Sequence, residues 1–469
     1  MSSTIETSSI WKDVSKVISS KPNDVFYDYR ATIHTALEDY GILSITNIDI
    51  VRDYMHNVGD HIQIVLLMSF GDYVKRLYPF VNNLELTITT MVKKVGNGKP
   101  PPNIKQRYKA VFLPHNNIHI DGSEYSAVSK ETLDHMQPVT VTLQLLDRAL
   151  EPLRIKMTAG TYINIKQESL MRSVITTECN KILVDGKPCL DAIDIYTPDN
   201  SDIQTHIILP TGTHVLSIPT YLQEKMNGVY GSGIGSYFQT YAGKRTFFIY
   251  PLYNTKRYNS PNTNKNKAIF YFVPSYTYKG IDNTYMVDGS VLKVLCTSDK
   301  KYLDDGETQY MNSGSGFMQA DARAFMSKPV VLDSNNVPSG NPARTMTQVV
   351  NKSRDDGLNY APVSKHGISS NPFIQYSEIA KRNVSKIDIV WEHSDASLIY
   401  PGMPCEFVFL DNGVRTTLKG IIVNTHTSIF KANTGVVSSL MARNTLISIL
   451  AERRTKITTA STTTPVTMA

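Results

Sequence analysis

Charged residues and tryptophan are scarce in this chain of 469 residues. Charged residues make up 19% of it, whereas soluble domains average about 25%. There are 2 tryptophans but 26 tyrosines, and tyrosine is enriched both in strands and in large protein interfaces. The net charge of +6 is too small to require a nucleic-acid partner.

Paired cysteines and long apolar runs are missing too. The four cysteines form no Cys-x-x-Cys pair, which argues against a structural zinc site. Cys179 and Cys189 are near enough in sequence for a disulfide to be considered, but free thiols in a reducing cytoplasm are the favoured interpretation. Residues 64–68 have the length of a strand and not of a membrane span. The N-terminus lacks the layout of a secretory signal, so we expect no membrane-spanning segment and no signal-peptide export.

Motifs of the common catalytic classes are absent from the sequence. It contains no Gly-x-Ser-x-Gly elbow, no His-Glu-x-x-His helix and no Walker loop. His115, His119 and Asp121 offer metal-ligating side chains. The isoleucines and the glycine around them argue against the helix that would best align two ligands four residues apart. We therefore expect a polar loop at this place, and no metal.

Two other features resemble a cofactor site or a catalytic site superficially. Residues 231–236 are rich in glycine, but an aromatic strand follows them in place of the helix that a dinucleotide loop requires. The paired carboxylates at 304–305 and 355–356 lie in polar surroundings, which is typical of solvated loop acids and not of a glycosidase pair. The sequence thus predicts a protein that is not an enzyme and has no cofactor.

Alternation of apolar and polar residues predicts half-buried strands along most of the chain. The predicted strands cover residues 41–50, 61–68, 84–92, 139–146, 247–253, 268–275, 290–296, 384–391, 405–410 and 418–428. Helical spacing predicts helices at 71–78, 167–183 and 220–226, and a short helix after Ser9. These patterns favour two strand-rich blocks separated by an α/β insertion.

The last predicted hairpin is the most informative stretch. Phe407 and Phe409 alternate with Val408 and Leu410, and a tight turn is predicted at 411–413. Both faces of this strand are largely apolar. A face exposed to water would carry more charged side chains, so this pattern is an argument for an interface. We expect Phe407 and Phe409 to face the core and Val408 to face a neighbouring subunit or layer. All three are candidate partner-interface residues.

This hairpin also has a family resemblance. A Pro-Gly-Met-Pro start at 401–404, a strand, the Asp-Asn-Gly turn and a Lys-Gly-Ile-Ile-Val return at 419–423 resemble the last barrel hairpin of phage tail baseplate hub proteins. The first block resembles the first tube-like domain of that family in its order of strands, Asp-Tyr, Gly-Asp-Tyr, Tyr-Pro and Leu-Glu-Leu over residues 45–88. Residues 218–253 are similar to the family's small inserted domain.

The resemblance implies a fold that is mainly β with an α+β insertion, in which two tail-tube-like β-barrel domains are joined by a small α/β domain. The expected parts are an N-terminal segment 1–20, a first tube-like barrel 21–157, an inserted domain 158–262, a second barrel 263–454 with a long excursion at 306–372, and a disordered Thr-rich tail 455–469.

The resemblance also implies a structural function. Three copies would place six barrels in a ring that adapts the sixfold tail tube to the threefold central spike. The implied partners are the other two copies, the central spike protein, the tail tube protein or tube initiator, the tape measure protein and the baseplate wedge proteins. The implied location is the virion, in the tail baseplate, after assembly in the host cytoplasm. The alternative is another β-rich virion or host-surface-binding structural protein.

One basic and aromatic stretch supplies further candidates. Residues 225–281 contain no Asp or Glu, but eight Lys or Arg interleaved with fourteen Tyr or Phe. Lys244, Arg245, Lys256 and Arg257 are candidate partner-interface residues. Three interpretations stay open: core aromatics with solvated lysines, a positively charged wall facing a ring lumen or an acidic partner, and a single-stranded nucleic-acid platform.

Overall fold

The computed structural model describes the chain from residue 2 to residue 452, with gaps. The described residues are 2–20, 25–42, 44–94, 104–113, 138–259, 266–274, 283–297, 384–411, 413–431 and 441–452, plus short strands and helical positions between 302 and 381. The predictions for His115, His119 and Asp121, for the acidic pairs and for the 455–469 tail lie outside them, as does most of the 306–372 excursion.

Helix α1 (Ser2–Ser19) precedes a first β unit of seven strands. These are β1 Val25–His34, β2 Asp39–Gly41, β3 Ser44–Asp53, β4 His61–Ser69, β5 Leu84–Lys94, β6 Ile104–Phe112 and β7 Pro138–Asp147. They pair in the order β3-β4-β7-β6-β5-β1-β2, and every pair is antiparallel. The helix predicted at 71–78 is present as α2 (Phe70–Asp72), a π turn and a 3-10 turn.

The inserted part mixes helices with short sheets. Its elements are α3 Leu150–Ile155, β8 Met157–Lys166, α4 Gln167–Asn180, β9 Leu183–Val184, β10 Lys187–Pro188, β11 Ala192–Ile195, β12 Ile203–His214, α5 Ile218–Lys225, β13 Ile234–Tyr241 and β14 Lys244–Pro251. Strands β8 and β12 form a two-stranded antiparallel ribbon, and β11 pairs parallel to β14 in a three-stranded sheet with β13. The predicted helices at 167–183 and 220–226 are confirmed by α4 and α5.

The second β unit continues the large sheet of the first. Its strands in that sheet are β15 Lys267–Phe272, β16 Tyr285–Asp288, β17 Val291–Cys296, β18 Tyr302–Leu303, β24 Val384–Glu392, β25 Pro404–Asp411, β26 Val414–Lys431 and β27 Met441–Glu452. Two separate small sheets lie between β18 and β24 in the chain: one of β19 Gly316–Gln319, β22 Met346–Val349 and β23 Ala361–Pro362, and one of β20 Val331–Leu332 and β21 Pro338–Ser339. The central pairings run β17-β15-β25-β26, with β27 and β24 following on from β26.

The predicted class, mainly β with an α+β insertion, is confirmed, but the strands form mixed sheets and not two closed barrels. In the second unit the contact of β17 with β24 is reduced to one bridge, at Thr297 and Val390. In the first unit a groove of about 630 Å³ lies between β1 and β3. The reason is that β26 pairs with the edge of β3 that would otherwise face β1.

Buried apolar side chains form three clusters. One fills the first unit around Ile33, Leu66 and Leu143. A larger one extends from the inserted part into the second unit, so these two parts share one core. The third lies beneath α1. Among the described residues, no helix is long and apolar enough to cross a membrane.

Candidate assembly site

A backbone ladder joins the two β units. Strand β26 has 18 residues, and its first part pairs with β25, from Val414 to Ile421. After an irregularity next to Ile422, residues Asn424–Phe430 pair with Asn47–Asp53 of β3. Gly420 precedes the irregularity, where a Cβ would lie 2.7 Å from the carbonyl oxygen of Leu450. One strand therefore belongs to both units, and it fixes their relative position.

The two units share a strand order. Five strands of the first unit lie in the order β3-β4-β7-β6-β5, and five of the second lie in the order β17-β24-β27-β26-β25. In the second unit β17 reaches β24 only through the bridge at Thr297, the residue directly after β17, and β24 also pairs with the short strand β18. Counted along the chain, these are corresponding strands, and all the contacts are antiparallel. In each unit one further strand pairs with the last strand of this order. In the first unit β1 is antiparallel to β5, whereas in the second unit β15 is parallel to β25. The chain thus repeats one five-strand arrangement.

A largely buried ion pair reinforces the junction. Arg52 donates from Nε and Nη2 to the Asp60 carboxylate at 3.2 Å, and from Nη1 to the carbonyl oxygen of Ala396 at 3.0 Å. Tyr237 of the inserted part donates its hydroxyl to the same carboxylate at 3.2 Å. Burial by itself lowers the pKa of Arg52, but Asp60 raises it above its ordinary value, so the guanidinium stays charged. One cluster thus contacts both β units and the inserted part.

A second chain of hydrogen bonds runs beside this pair. Tyr54 donates its hydroxyl to Oε1 of Gln239 at 3.1 Å, and Nε2 of Gln239 donates to the carbonyl oxygen of Ile399 at 2.9 Å. Tyr250 donates its hydroxyl to the backbone oxygen of Tyr54 at 2.7 Å. Burial raises the pKa of Tyr54 to about 12, so its hydroxyl remains a donor at neutral pH. Buried polar groups that are mutually bonded hold one arrangement of the three parts.

The last hairpin lies where the sequence predicts it. Strands β25 and β26 are joined by a two-residue turn in which Gly413 has φ of 81°; Asn412 lies outside the described residues. The rings of Phe407 and Phe409 are stacked 5.2 Å apart in the main core. Val408 is 1% exposed, and it contacts the cluster beneath α1 instead of facing outward.

Helix α1 covers this outer face of β25. Ile10, Val14 and Val17 are buried there, one helical turn apart, with Val408 in the same cluster. Arg415 lies 3.4 Å from Asp13 of the helix. In the sequence, the two apolar faces of β25 favour a subunit interface. In the structure, the outer face is covered by α1 of the same chain. The partner-contact role of the hairpin residues stays a prediction.

The described part of the basic and aromatic stretch does not form one surface. Lys244 and Lys256 are exposed, whereas Arg245 is bound to Asp191 through both its backbone N–H, at 2.8 Å, and its Nε, at 3.5 Å. Arg257 is buried, donates to the backbone oxygen of Gly402 and stacks 4.1 Å above the ring of Tyr196.

The aromatics of this stretch lie mostly in the core. The buried ones are Tyr230, Tyr237, Phe238, Phe247, Phe248, Tyr250, Phe270 and Tyr271. Single-stranded nucleic acid is bound by aromatic rings that are open to the bases. The arrangement favours the interpretation with core aromatics and solvated lysines.

Within the described residues, no group of three His, Cys, Asp or Glu side chains could hold a metal ion.

An exposed apolar surface that the sequence reasoning missed lies on the β8–β12 ribbon. Sixteen large apolar side chains are exposed among the described residues, and five lie on the ribbon or directly before it: Ile155, Met157, Ile163, Ile203 and Ile208. The signal in the sequence is the run from 157 to 165, which has no charged residue. The ribbon lies in the part of the chain where the sequence pattern predicts an α/β domain, and its residues are therefore not among the predicted strands.

The comparisons with known proteins concern the fold alone. No family model and no curated protein matches the sequence. The chain is similar to the solved tail protein from Neisseria meningitidis, with 9% identity, 91% of this chain and 97% of that chain covered, and a TM-score of 0.41. It is similar to the 43 kDa tail protein of prophage MuSo2 from Shewanella oneidensis, with 9% identity, coverage of 90% and 98%, and a TM-score of 0.44.

A third similar structure is a component of the Escherichia coli type VI secretion system that exhibits structural similarity to the T4 bacteriophage tail proteins gp27 and gp5. The identity is 10%, the coverage is 90% of this chain and 77% of that chain, and the TM-score is 0.39. The solved structures that this chain is similar to thus include two tail proteins, one of them from a prophage.

Proposed function

We propose that this chain is a structural protein of a phage tail baseplate hub, in which three copies form a ring between the sixfold tail tube and the threefold central spike. The observation that carries the proposal is the repeated five-strand arrangement, fused within one chain by the ladder of β3 with β26. Three such chains around a threefold axis supply six similar units, and closed rotational symmetry is the usual form of a protein ring.

The rigidity of the junction supports a mechanical role. An adaptor between two symmetric assemblies has to keep its two units in one relative position, since any hinge would spoil the match to six tube subunits. The shared strand and the buried pair of Arg52 with Asp60 both oppose such a hinge. In this proposal the buried polar groups serve the fold, and the protein carries out no reaction.

The proposed partners follow from the family that the sequence resembles. They are the central spike protein on one side of the ring, the tail tube protein or tube initiator on the other, the tape measure protein, and the baseplate wedge proteins around it. The proposed location is the baseplate of the virion, after assembly in the host cytoplasm.

Light scattering of the purified chain tests this function. At micromolar concentration, alone or with the spike protein of the same phage, the expected mass of the assembly of this chain is about three times 52.5 kDa. A chain that stays monomeric in the presence of both spike and tube proteins contradicts the ring. That result would favour the alternative, another β-rich virion or host-surface-binding structural protein.

A further inference from the structure

The β8–β12 ribbon has one covered face and one bare face. On the covered face, Ile207 and Leu209 of β12 are buried in the main core, and Tyr162 of β8 packs against the same core. Ile165 also packs there, because the alternation is interrupted at Asn164, which has φ of 49°. Side chains alternate between the faces of a strand, so before Asn164 the residues that alternate with Tyr162 point away from the core. These are Met157, Ala159, Thr161 and Ile163, and all four are exposed.

The bare face is mainly apolar, and His206, directly opposite Ile163, is an exposed polar side chain on it. Met157 is 52% exposed, Ile163 is 64% exposed, and Ile208, directly opposite Thr161, is 52% exposed. At roughly 100 Å² each, these three side chains expose about 300 Å² in a strip along β8, with Ile163 and Ile208 near Thr161 and Met157 four residues farther along. No charged side chain occurs from 157 to 165, whereas a solvated strand face carries polar or charged residues.

The outer edge of β8 is open as well. Tyr221 donates its hydroxyl to the backbone oxygen of Ile208 at 3.0 Å, so that oxygen points away from β8. Opposite residues of an antiparallel pair orient their backbone groups alike, so the N–H and C=O of Thr161 point away from β12. Among the described residues, no other strand pairs with β8. Natural proteins protect such edges with charge, proline or a bulge. From Met157 to Ile163 strand β8 has no charged residue and no proline, and the irregularity of the ribbon, between Leu209 and Thr213, lies in β12 and not on the outer edge of β8.

We propose that the outer edge and bare face of β8 form the contact between two copies of this chain, through addition of an edge strand of the neighbouring copy to β8. The inference rests on the proposed ring. A standard interface takes about 800 Å² from each partner, so this strip would be the apolar centre of a larger contact. A second copy is the fitting occupant because the face is uncharged, and because the alternative apolar face, around Val408, is already covered by α1.

One substitution with a matched control tests this contact. Thr161→Lys places a charge in the centre of the bare face and leaves the core untouched. Thr205→Lys makes the same change on the same ribbon, at an exposed position of opposite parity to Ile208. Burying an unpaired lysine is costly, so we expect Thr161→Lys to weaken association by about a hundredfold or more. Thr205→Lys should leave the mass unchanged, and both should keep the wild-type circular dichroism.

The outcomes separate this inference from the proposed function. A trimeric wild type with a monomeric Thr161→Lys supports both. If both the wild-type protein and the Thr161→Lys variant are trimeric, the proposed strand-addition contact is wrong and the proposed ring is unaffected. A wild type that stays monomeric with its partners overturns the ring and this contact together. Amide exchange gives a second readout: the N–H of Thr161 should exchange at least tenfold more slowly in the trimer, and equal rates in trimer and monomer contradict the contact.

Discussion

Replacing Arg52 by methionine should loosen the junction of the two β units. The Arg52 and Asp60 side chains are 12% and 18% exposed, and the methionine would remove three N–H to carboxylate contacts at 3.2 Å. Asp60 would keep the hydroxyl of Tyr237, and the carbonyl oxygen of Ala396 would lose the guanidinium but keep the backbone N–H of Ile399 at 3.4 Å. Removing one partner of a buried pair costs about 3–5 kcal/mol, and the residual exposure of Asp60 favours the lower end, about 3 kcal/mol.

Denaturation in urea, followed by circular dichroism, measures this loss. Arg107→Met is the matched control, because Arg107 pairs with Glu85 at a site where its side chain is 46% exposed, and such surface pairs contribute about 0–1 kcal/mol. Combining Arg52→Met with Asp60→Leu should recover part of the loss, since no buried charge is then left without a partner. If Arg52→Met costs no more than Arg107→Met, the ion pair does not hold the units together.

Three further predictions concern the last hairpin. Phe407→Ala should lower the free energy of unfolding by about 3–5 kcal/mol, whereas Val408→Ala should mainly release α1 to limited proteolysis; equal cleavage of α1 in both variants would contradict its docking on Val408. Burial raises the pKa of Glu406, so the folded protein binds this proton more tightly than the unfolded chain does. The stability that Glu406 contributes is therefore lost as the pH rises from the ordinary pKa of 4.5 through the raised value. Glu406→Gln should remove that decline, and an unchanged pH profile of the unfolding midpoint would contradict it. Gly413→Ala should lower the free energy of unfolding by about 1–2 kcal/mol, because φ is 81° there. Gly41→Ala is the control, since Gly41 has open space around it and no positive φ. Equal unfolding midpoints for the two variants would refute the turn geometry.

Period-two alternation is a local signal, and it predicts the strands that have one buried face. The predicted strands at 61–68, 84–92 and 139–146 are confirmed by β4, β5 and β7, each within two residues at either end. In β4 every second residue is buried, because the opposite face is covered only in part. The assignment of Phe407 and Phe409 to the core rests on the same reasoning and is also confirmed.

Long-range contacts could not be predicted in this way. Strand β27 was missed because residues 445–451 form a nearly continuous apolar run, which periodicity does not separate from a buried helix. Val408 lies in one cluster with Val14 of α1, almost four hundred positions away in the sequence, and nothing near Val408 encodes this neighbour. The pairing of β26 with β3 is equally remote, although the length of β26 depends on it. The domain boundaries proposed from the sequence stay a prediction.

Electron microscopy of the chain bound to the tail tube protein of its phage tests the central claim most directly. Images along the tube axis should show a closed ring with threefold symmetry, in which three copies contribute six similar densities. The two β units of each copy should keep the relative position that the β3–β26 ladder gives them. A ring of any other copy number, or one chain bound to the side of the tube, would contradict the account.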